Sequence, residues 1–316
     1  MRQTILAAAA LATAIAAILD AAPAAAATRT WVASNGTDSA NNGCAVYAPC
    51  RTLAFAYSQT AAGGEIDILG PGNYGDLTIG KAISIASDGA EAGIQPMQPQ
   101  GANPIVVNAG ATDLIQLRGL TLDGAANTAG NGLGVEFLAG GGLLVRNCIV
   151  KNFQSGYGIY FAPNTAASLV VYDTTVTNNG SIGIYIGPLA GPTKTALERV
   201  VLDGNGSGLF VGGNSAAAIN VTVTDSLATG NAMDSIIVTP SGTGPVVVMV
   251  EHSRSVNNGF GVRSFGANST VLLDNSTVTG NGTGLAFGGG VLGSYGNNTV
   301  DKNGADGAPS QVFFRK

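Results

Sequence analysis

Charge is what this sequence has least of. Its 316 residues carry 14 Lys and Arg and 19 Asp and Glu, or 10% of the chain, where an ordinary soluble domain carries about a quarter. The cations form no block and the formal net charge is −5. That excludes a phosphate-binding surface, and with it a nucleic-acid partner, because counterion release needs clustered cations. A single His and three Cys, with no acidic calcium-loop motif, name no metal site. Beyond the first twenty residues no apolar run approaches the roughly 20 residues of a membrane helix. The apolar set, by contrast, supplies 45% of the chain and Gly fills 47 positions. A chain this apolar can bury enough surface to offset its ordering entropy, so charge-driven disorder is excluded. The glycines fall in irregular singles and doublets, which excludes the every-third-residue glycine of collagen.

The beginning of the chain reads as an export signal. Residues 1–27 hold Arg2, an apolar run from Ile5 to Leu19, then Pro23 and four alanines ending at Ala27. The run is too short for a comfortable membrane span, and small residues suited to cleavage follow it. No Cys stands after the leader to accept a lipid. The expectation is an exported protein, periplasmic or extracellular, without a transmembrane anchor. Cys44 and Cys50 lie in a segment rich in Gly, Asn and Pro, where an exported chain is expected to close a small disulfide loop. Cys148 is left over and reads as a small residue within a strand.

The body of the chain is one unit used about eight times. A turn position recurs at Ala125, Asn152, Asn179, Asn205, Asn231, Asn258, Asn281 and Asn303, at intervals of 27, 27, 26, 26, 27, 23 and 22. Short β-branched runs separated by Gly and Asn at such a period predict a solenoid of strands. Three runs fit each coil: for one coil, LVVY from Leu169, TTVT from Thr174 and GIYI from Gly183. Asn and Gly are expected between them as residues that tolerate positive φ. Three apolar columns predict three inward-facing walls. One holds Leu122, Ile149, Val176, Leu202, Ala228, Ser255, Val278 and Val300, and a second Leu117, Leu144, Val171, Leu197, Val223, Val250 and Leu273. The third holds Val135, Ile159, Ile184, Leu209, Ile236, Val262 and Leu285.

This pattern resembles the right-handed parallel β-helix, or pectate-lyase-like, superfamily over roughly residues 60–304. The segment WVASNGTDSANNGCAVYAPCRTLAFAYSQTAAGGEIDILGPGNYG, residues 31–75, resembles the leading module of exported bacterial β-helix proteins. The resemblance implies that a short amphipathic helix, Arg51 to Ala61, plugs the first coil, as a solenoid end requires. The expected organisation is a leader over 1–27, a cap module over 28–62, an all-β single-stranded parallel β-helix over 63–304 and a closing tail, QVFFRK included, over 305–316.

Two outward columns are candidates for function. At one corner stand Arg146, Asp173, Arg199, Asp225, His252, Asn275 and Asn297, preceded by Tyr172, Glu198, Thr224, Glu251 and Asp274. The alternating signs suit a solvated ladder between coils about 4.8 Å apart. They also suit an acid–base cluster of Asp225, Glu251, His252 and Asp274, with Arg199 holding an acidic sugar. The polygalacturonase and pectin-esterase motif segments of the family are missing, while a lyase arrangement dispersed over several coils stays open. The second column runs Glu136, Tyr160, Tyr185, Phe210, Ile237, Arg263 and Ala286. Three consecutive outward aromatics form a platform on which sugar rings stack, unless the tail or the GPLAGPTKT loop from Gly187 covers them. The reading favoured is a non-catalytic surface for a polysaccharide or envelope component, without cofactor. The alternatives are a polysaccharide lyase or glycoside hydrolase on acidic glycans, with calcium only for a lyase, and a structural or adhesive rod.

Overall fold

The computed structural model describes residues 26–89, 92–95, 103–126 and 132–313. The leader up to residue 25 and the last three residues of the tail lie outside the described residues. Among these, the chain winds as a parallel β-helix with walls of twelve, ten and nine strands. One coil shows the unit: Ala167–Tyr172 on the first wall, Thr175–Thr177 on the second and Ile182–Ile186 on the third. The next coil pairs with it in parallel, with Leu169 opposite Thr195, Val176 opposite Leu202 and Ile184 opposite Leu209. Strand alternation sends every second side chain inward, and the third-wall column from Val135 to Leu285 is buried throughout, as its periodicity predicts.

The other two inward columns slip by one residue in a single coil. Val150, not Ile149, pairs with Leu122 and Val176, and Val145, not Leu144, pairs with Leu117 and Val171. Ile149 is 43% exposed and Leu144 half-buried. The cause is Asn152, which occupies the left-handed turn position at φ 66° that Asn178 fills in the next coil. The position below Asn179 is held by Phe153, whose backbone N–H donates to Asn179 Oδ1 at 3.2 Å. Arg146 moves with the slip and stands in the column of Tyr172 and Glu198.

Apart from Asn152, the recurrent turn asparagines are also not there for positive φ. The left-handed residue is the one before, as at Asn178, Gly204, Gly230, Asn257 and Gly280. The asparagines themselves point inward and form a buried ladder at the corner between second and third walls. Asn205 shows the unit: its backbone N–H and its Nδ2 both donate to Asn231 Oδ1, at 3.0 and 3.2 Å, and Nδ2 also donates to the Val176 carbonyl at 3.0 Å. Amide groups that would otherwise be buried without partners are thus bonded coil to coil. The ladder ends on a carboxylate. Asn303 N–H and Nδ2 both reach Asp306 Oδ1 at 2.9 Å, and those bonds hold the Asp306 carboxyl below its usual value. A carboxylate suits the last rung because it accepts and need not donate.

The two ends are closed differently. At the start, the helix is Leu53–Gln59, shorter than the expected span, because the Thr52 side chain caps its first turn and Thr60 is already extended. Leu53 and Ala56 are buried in the first coil. Strand Ala27–Val32 is the first of the first wall, and the Cys44–Cys50 disulfide loop covers its outer edge: Trp31 N–H donates to Cys44 O and Cys50 N–H to Trp31 O. At the far end, Gln311–Val312 adds a last strand to the first wall and Phe313 lies beside Tyr295. No helix among the described residues is long and apolar enough to cross a membrane.

Candidate functional site

The outward face of the third wall carries a row of stacked aromatic side chains. Glu136, Tyr160, Tyr185, Phe210, Ile237, Arg263 and Ala286 pair in that order across successive coils. Tyr157 stands on this face too, outside the column that the repeat pattern picks out. It faces out because Gly158 turns inward, where a Cβ would meet Val176 Cγ1 at 2.4 Å. The rings stack along the helix axis: Tyr160 on Tyr185 at 5.0 Å between centroids, Tyr185 on Phe210 at 5.3 Å, and Tyr157 on both Tyr160 and Tyr185 at 5.6 Å. The rings lean over backbone without side chains. A Cβ on Gly187 would stand 2.3 Å from the Tyr185 ring, and one on Gly212 would stand 2.7 Å from that of Phe210.

This geometry revises how the row can meet a ligand. The faces of Tyr185 are occupied by neighbouring rings, so a ligand meets overlapping ring edges and tyrosine hydroxyls, with free faces only at the ends of the row. Burial, followed by the neighbouring tyrosines, pushes the Tyr185 hydroxyl above its usual value. Burial, Tyr157 and Glu136 do the same for Tyr160. Both are therefore neutral O–H groups at physiological pH, able to donate and accept. The described tail does not cover the row, since Phe313 packs beside Tyr295 and Gly293 on the first wall. The GPLAGPTKT loop bonds to the coil before it, Leu189 N–H donating to the Pro163 carbonyl at 2.9 Å, and Leu189 itself is 57% exposed.

Polar groups fix both ends of the row. Glu136 accepts from Asn103 Nδ2 at 2.7 Å. Arg263 is not a free cation: its Nε and Nη2 clasp the carboxylate of Asp234, the second at 2.6 Å, between the rings of Phe260 at 4.2 Å and Phe265 at 5.5 Å. Asp234 is 1% exposed and also accepts from Ser207 Oγ at 3.3 Å. An acid inside an apolar strand, one coil before an Arg, is the signal that could have found this pair in the sequence.

The charged corner is assembled differently. Asn147, Asp173, Arg199, Asp225, His252 and Asn275 all occupy left-handed turns at φ 46–51°, with backbone rather than ligand geometry in common. Arg199 donates from Nε to Asp173 Oδ1 at 2.7 Å and binds Glu198. Asp173 raises the Arg199 pKa through that hydrogen bond, and Arg199 lowers that of Asp173. Tyr172 lies between the guanidiniums of Arg146 and Arg199, at 4.9 and 5.9 Å. Asp274 accepts from Asn297 Nδ2 at 2.7 Å. Asp225 N–H donates to the Glu251 carbonyl at 3.2 Å and His252 N–H to the Asp274 carbonyl at 3.1 Å, which are backbone bonds between coils. Among the described residues, the side chains of Asp225, Glu251 and His252 share no hydrogen bond or ion pair. Nor does any group of three His, Cys, Asp or Glu side chains stand close enough to hold a metal ion.

Cys148 lies at the same corner, between strands rather than within one. Its thiol donates to the Arg146 carbonyl at 3.2 Å, as Thr174, Ser226, Ser253 and Ser276 donate to the carbonyls two residues before them. Burial pushes the thiol up to about 11, which leaves it protonated and unreactive.

The family described as "Right handed beta helix region" matches residues 118–249. Among solved structures, pectate lyase Pel9A is similar with a TM-score of 0.57 and 16% identity, over 90% of this chain and 79% of that one. The A-module of an Azotobacter vinelandii mannuronan C-5 epimerase gives 0.44 and 16%, over 79% of this chain and 89% of its own. No curated protein matches the sequence.

Proposed function

We propose that this right-handed parallel β-helix, whose fold is of the pectate-lyase-like kind, is exported and binds a polysaccharide without cleaving it. The observation that carries the reading is the row Tyr157, Tyr160, Tyr185 and Phe210 on the third wall, held between Glu136 and the Arg263–Asp234 pair. The coil rise of about 4.8 Å is close to the length of one pyranose unit. A glycan lying along the axis would meet ring edges in three successive coils, with hydroxyls from Tyr157, Tyr160 and Tyr185 and none from Phe210. A pectate lyase sharing the fold supports a carbohydrate-related role. The leader and the Cys44–Cys50 disulfide support export.

The test is gel retention on immobilised acidic and neutral polysaccharides, with a reducing-end and unsaturated-uronate assay run on the same panel with and without calcium. Retention on at least one glycan, lost when Tyr160 and Tyr185 are both changed to Ala, and no depolymerisation are expected. Product formation that His252→Ala and Glu251→Ala abolish would replace this reading by catalysis at the charged corner. No retention on any glycan would leave a structural rod.

A further inference from the structure

A second recess lies on the first wall, away from the tyrosine row. Arg29 and Trp31 on the first strand, Asp67 and Leu69 on or after the second, and Ala86 and Asp88 on or after the third border an open, mostly polar depression of about 270 Å³. Trp31 is the chain's single tryptophan. It faces outward and is half-buried between the fully buried Thr30 and Val32. The polar groups around it are held in place. Arg29 binds the Asp67 carboxylate and reaches Glu65 at 3.1 Å, and its guanidinium stands over the indole at 5.6 Å. Arg118 holds Asp88 at 2.8 Å.

Closing the solenoid does not require these side chains. The edge of the first strand is covered by backbone bonds to the Cys44–Cys50 loop, and the core beneath it is filled by Leu53 and Ala56 of the helix. What remains is an open polar recess with one aromatic wall, an exposed Leu69 beside it and carboxylate acceptors. Its charge narrows the ligand. Three carboxylates, Glu65, Asp67 and Asp88, face two guanidiniums, so the patch carries one net negative charge and disfavours an anion. Fixed carboxylate and guanidinium pairs match vicinal hydroxyls, and the indole offers an apolar surface to ring C–H groups.

We propose that this recess binds one pyranose unit bearing no negative charge, neutral or amino-substituted. The site is independent of the tyrosine row, which lies on another wall. The single tryptophan makes it directly observable. Selective tryptophan excitation of the purified protein is followed during titration with cellotetraose, chitosan tetramer and tetragalacturonate. A saturable emission change with either of the first two is expected, about tenfold weaker in Asp67→Asn and unchanged when Tyr160 and Tyr185 are both Ala. A tighter fit to the chitosan tetramer would assign the surplus carboxylate to the amine. Asp88→Asn is the second variant should Asp67→Asn unfold, with circular dichroism as the check. No saturable change with either uncharged or amino tetramer, equal binding of tetragalacturonate, or an emission change that both folded variants retain would each overturn the proposal.

Discussion

The two tight corners of each coil solve one steric problem with opposite chemistry. Both turn on a single left-handed residue followed by an inward polar side chain that bonds to the next coil. Between second and third walls the inward residue is Phe153 in one coil and Asn from Asn179 onward, whose Nδ2 donates to the Asn Oδ1 of the next coil and to a carbonyl of the coil before, and the left-handed residue is Gly or Asn apart from Lys302. Between first and second walls the inward residue is mostly Ser or Thr, as where Ser226 N–H donates to Ser253 Oγ at 3.1 Å, and the left-handed residue may be Asn, Asp, Arg or His. The difference teaches where the architecture resides. It lies in the inward ladders, while the outward residue at the charged corner is free to vary at a modest backbone cost.

The comparison breaks most visibly if a ladder rung is removed. Asn231→Ala takes the acceptor from Asn205 N–H and Nδ2 and the donor from the Leu202 carbonyl, all in a buried corner. Unsatisfied buried groups cost about 1–3 kcal/mol each, and with some relaxation the loss should be about 3 kcal/mol. Urea denaturation checks this, with Asn178→Gly as the exposed control: it keeps the left-handed turn, gives up one exposed amide bond to Asn152 and should move the midpoint little. Equal effects at the two positions would show that the buried amide ladder holds the corner no better than one exposed amide bond.

That ladder also marks the limit of what the residues disclose. The third wall was legible because Val135, Ile159, Ile184, Leu209, Ile236, Val262 and Leu285 alternate with outward residues at a constant offset, and the pairing confirms each. The paired cysteines were legible from their setting, and the disulfide is there. The coil at Asn152 was misread because Asn serves both as left-handed turn residue and as ladder rung, and one letter cannot say which. Phe153 fills the rung there, so anchoring on Asn shifted Leu144, Arg146 and Ile149 together. On the third wall the aromatic column was legible, but the mutual stacking of its rings and the Asp234 beneath Arg263 were not. Ring orientation and buried pairing depend on χ angles and on neighbours 25 or more residues away.

A smaller effect, of opposite sign, is expected at the charged corner. His252 sits at φ 49°, a conformation that costs a residue with a Cβ about 1 kcal/mol or more. His252→Gly removes that strain but loosens the unfolded chain, so a net gain of about 0.5 kcal/mol is expected in the same urea assay. A loss instead would mean that the imidazole makes an interaction stronger than the backbone relief, and would give this corner a structural role.

The smallest effect should follow Arg199→Ala, where the ion pair with Asp173 is exposed and screened. At neutral pH the urea midpoint should stay within the scatter of replicates, and added salt should not change that result. The trace of the pair is in titration. Arg199 lowers the Asp173 pKa in the folded state, so its contribution is present above the unfolded carboxylate value of about 3.9. It is lost as pH falls through the lower folded value. Removing Arg199 should raise the Asp173 pKa in a carboxyl-carbon NMR titration and erase the contribution present above about pH 3.9, a difference too small at this exposed pair to move the neutral midpoint beyond scatter and one that vanishes in acid. If the variant keeps its stability yet loses glycan retention, the ladder reading fails where it matters: the left-handed corner, and not the tyrosine row, would then be where the protein meets its ligand.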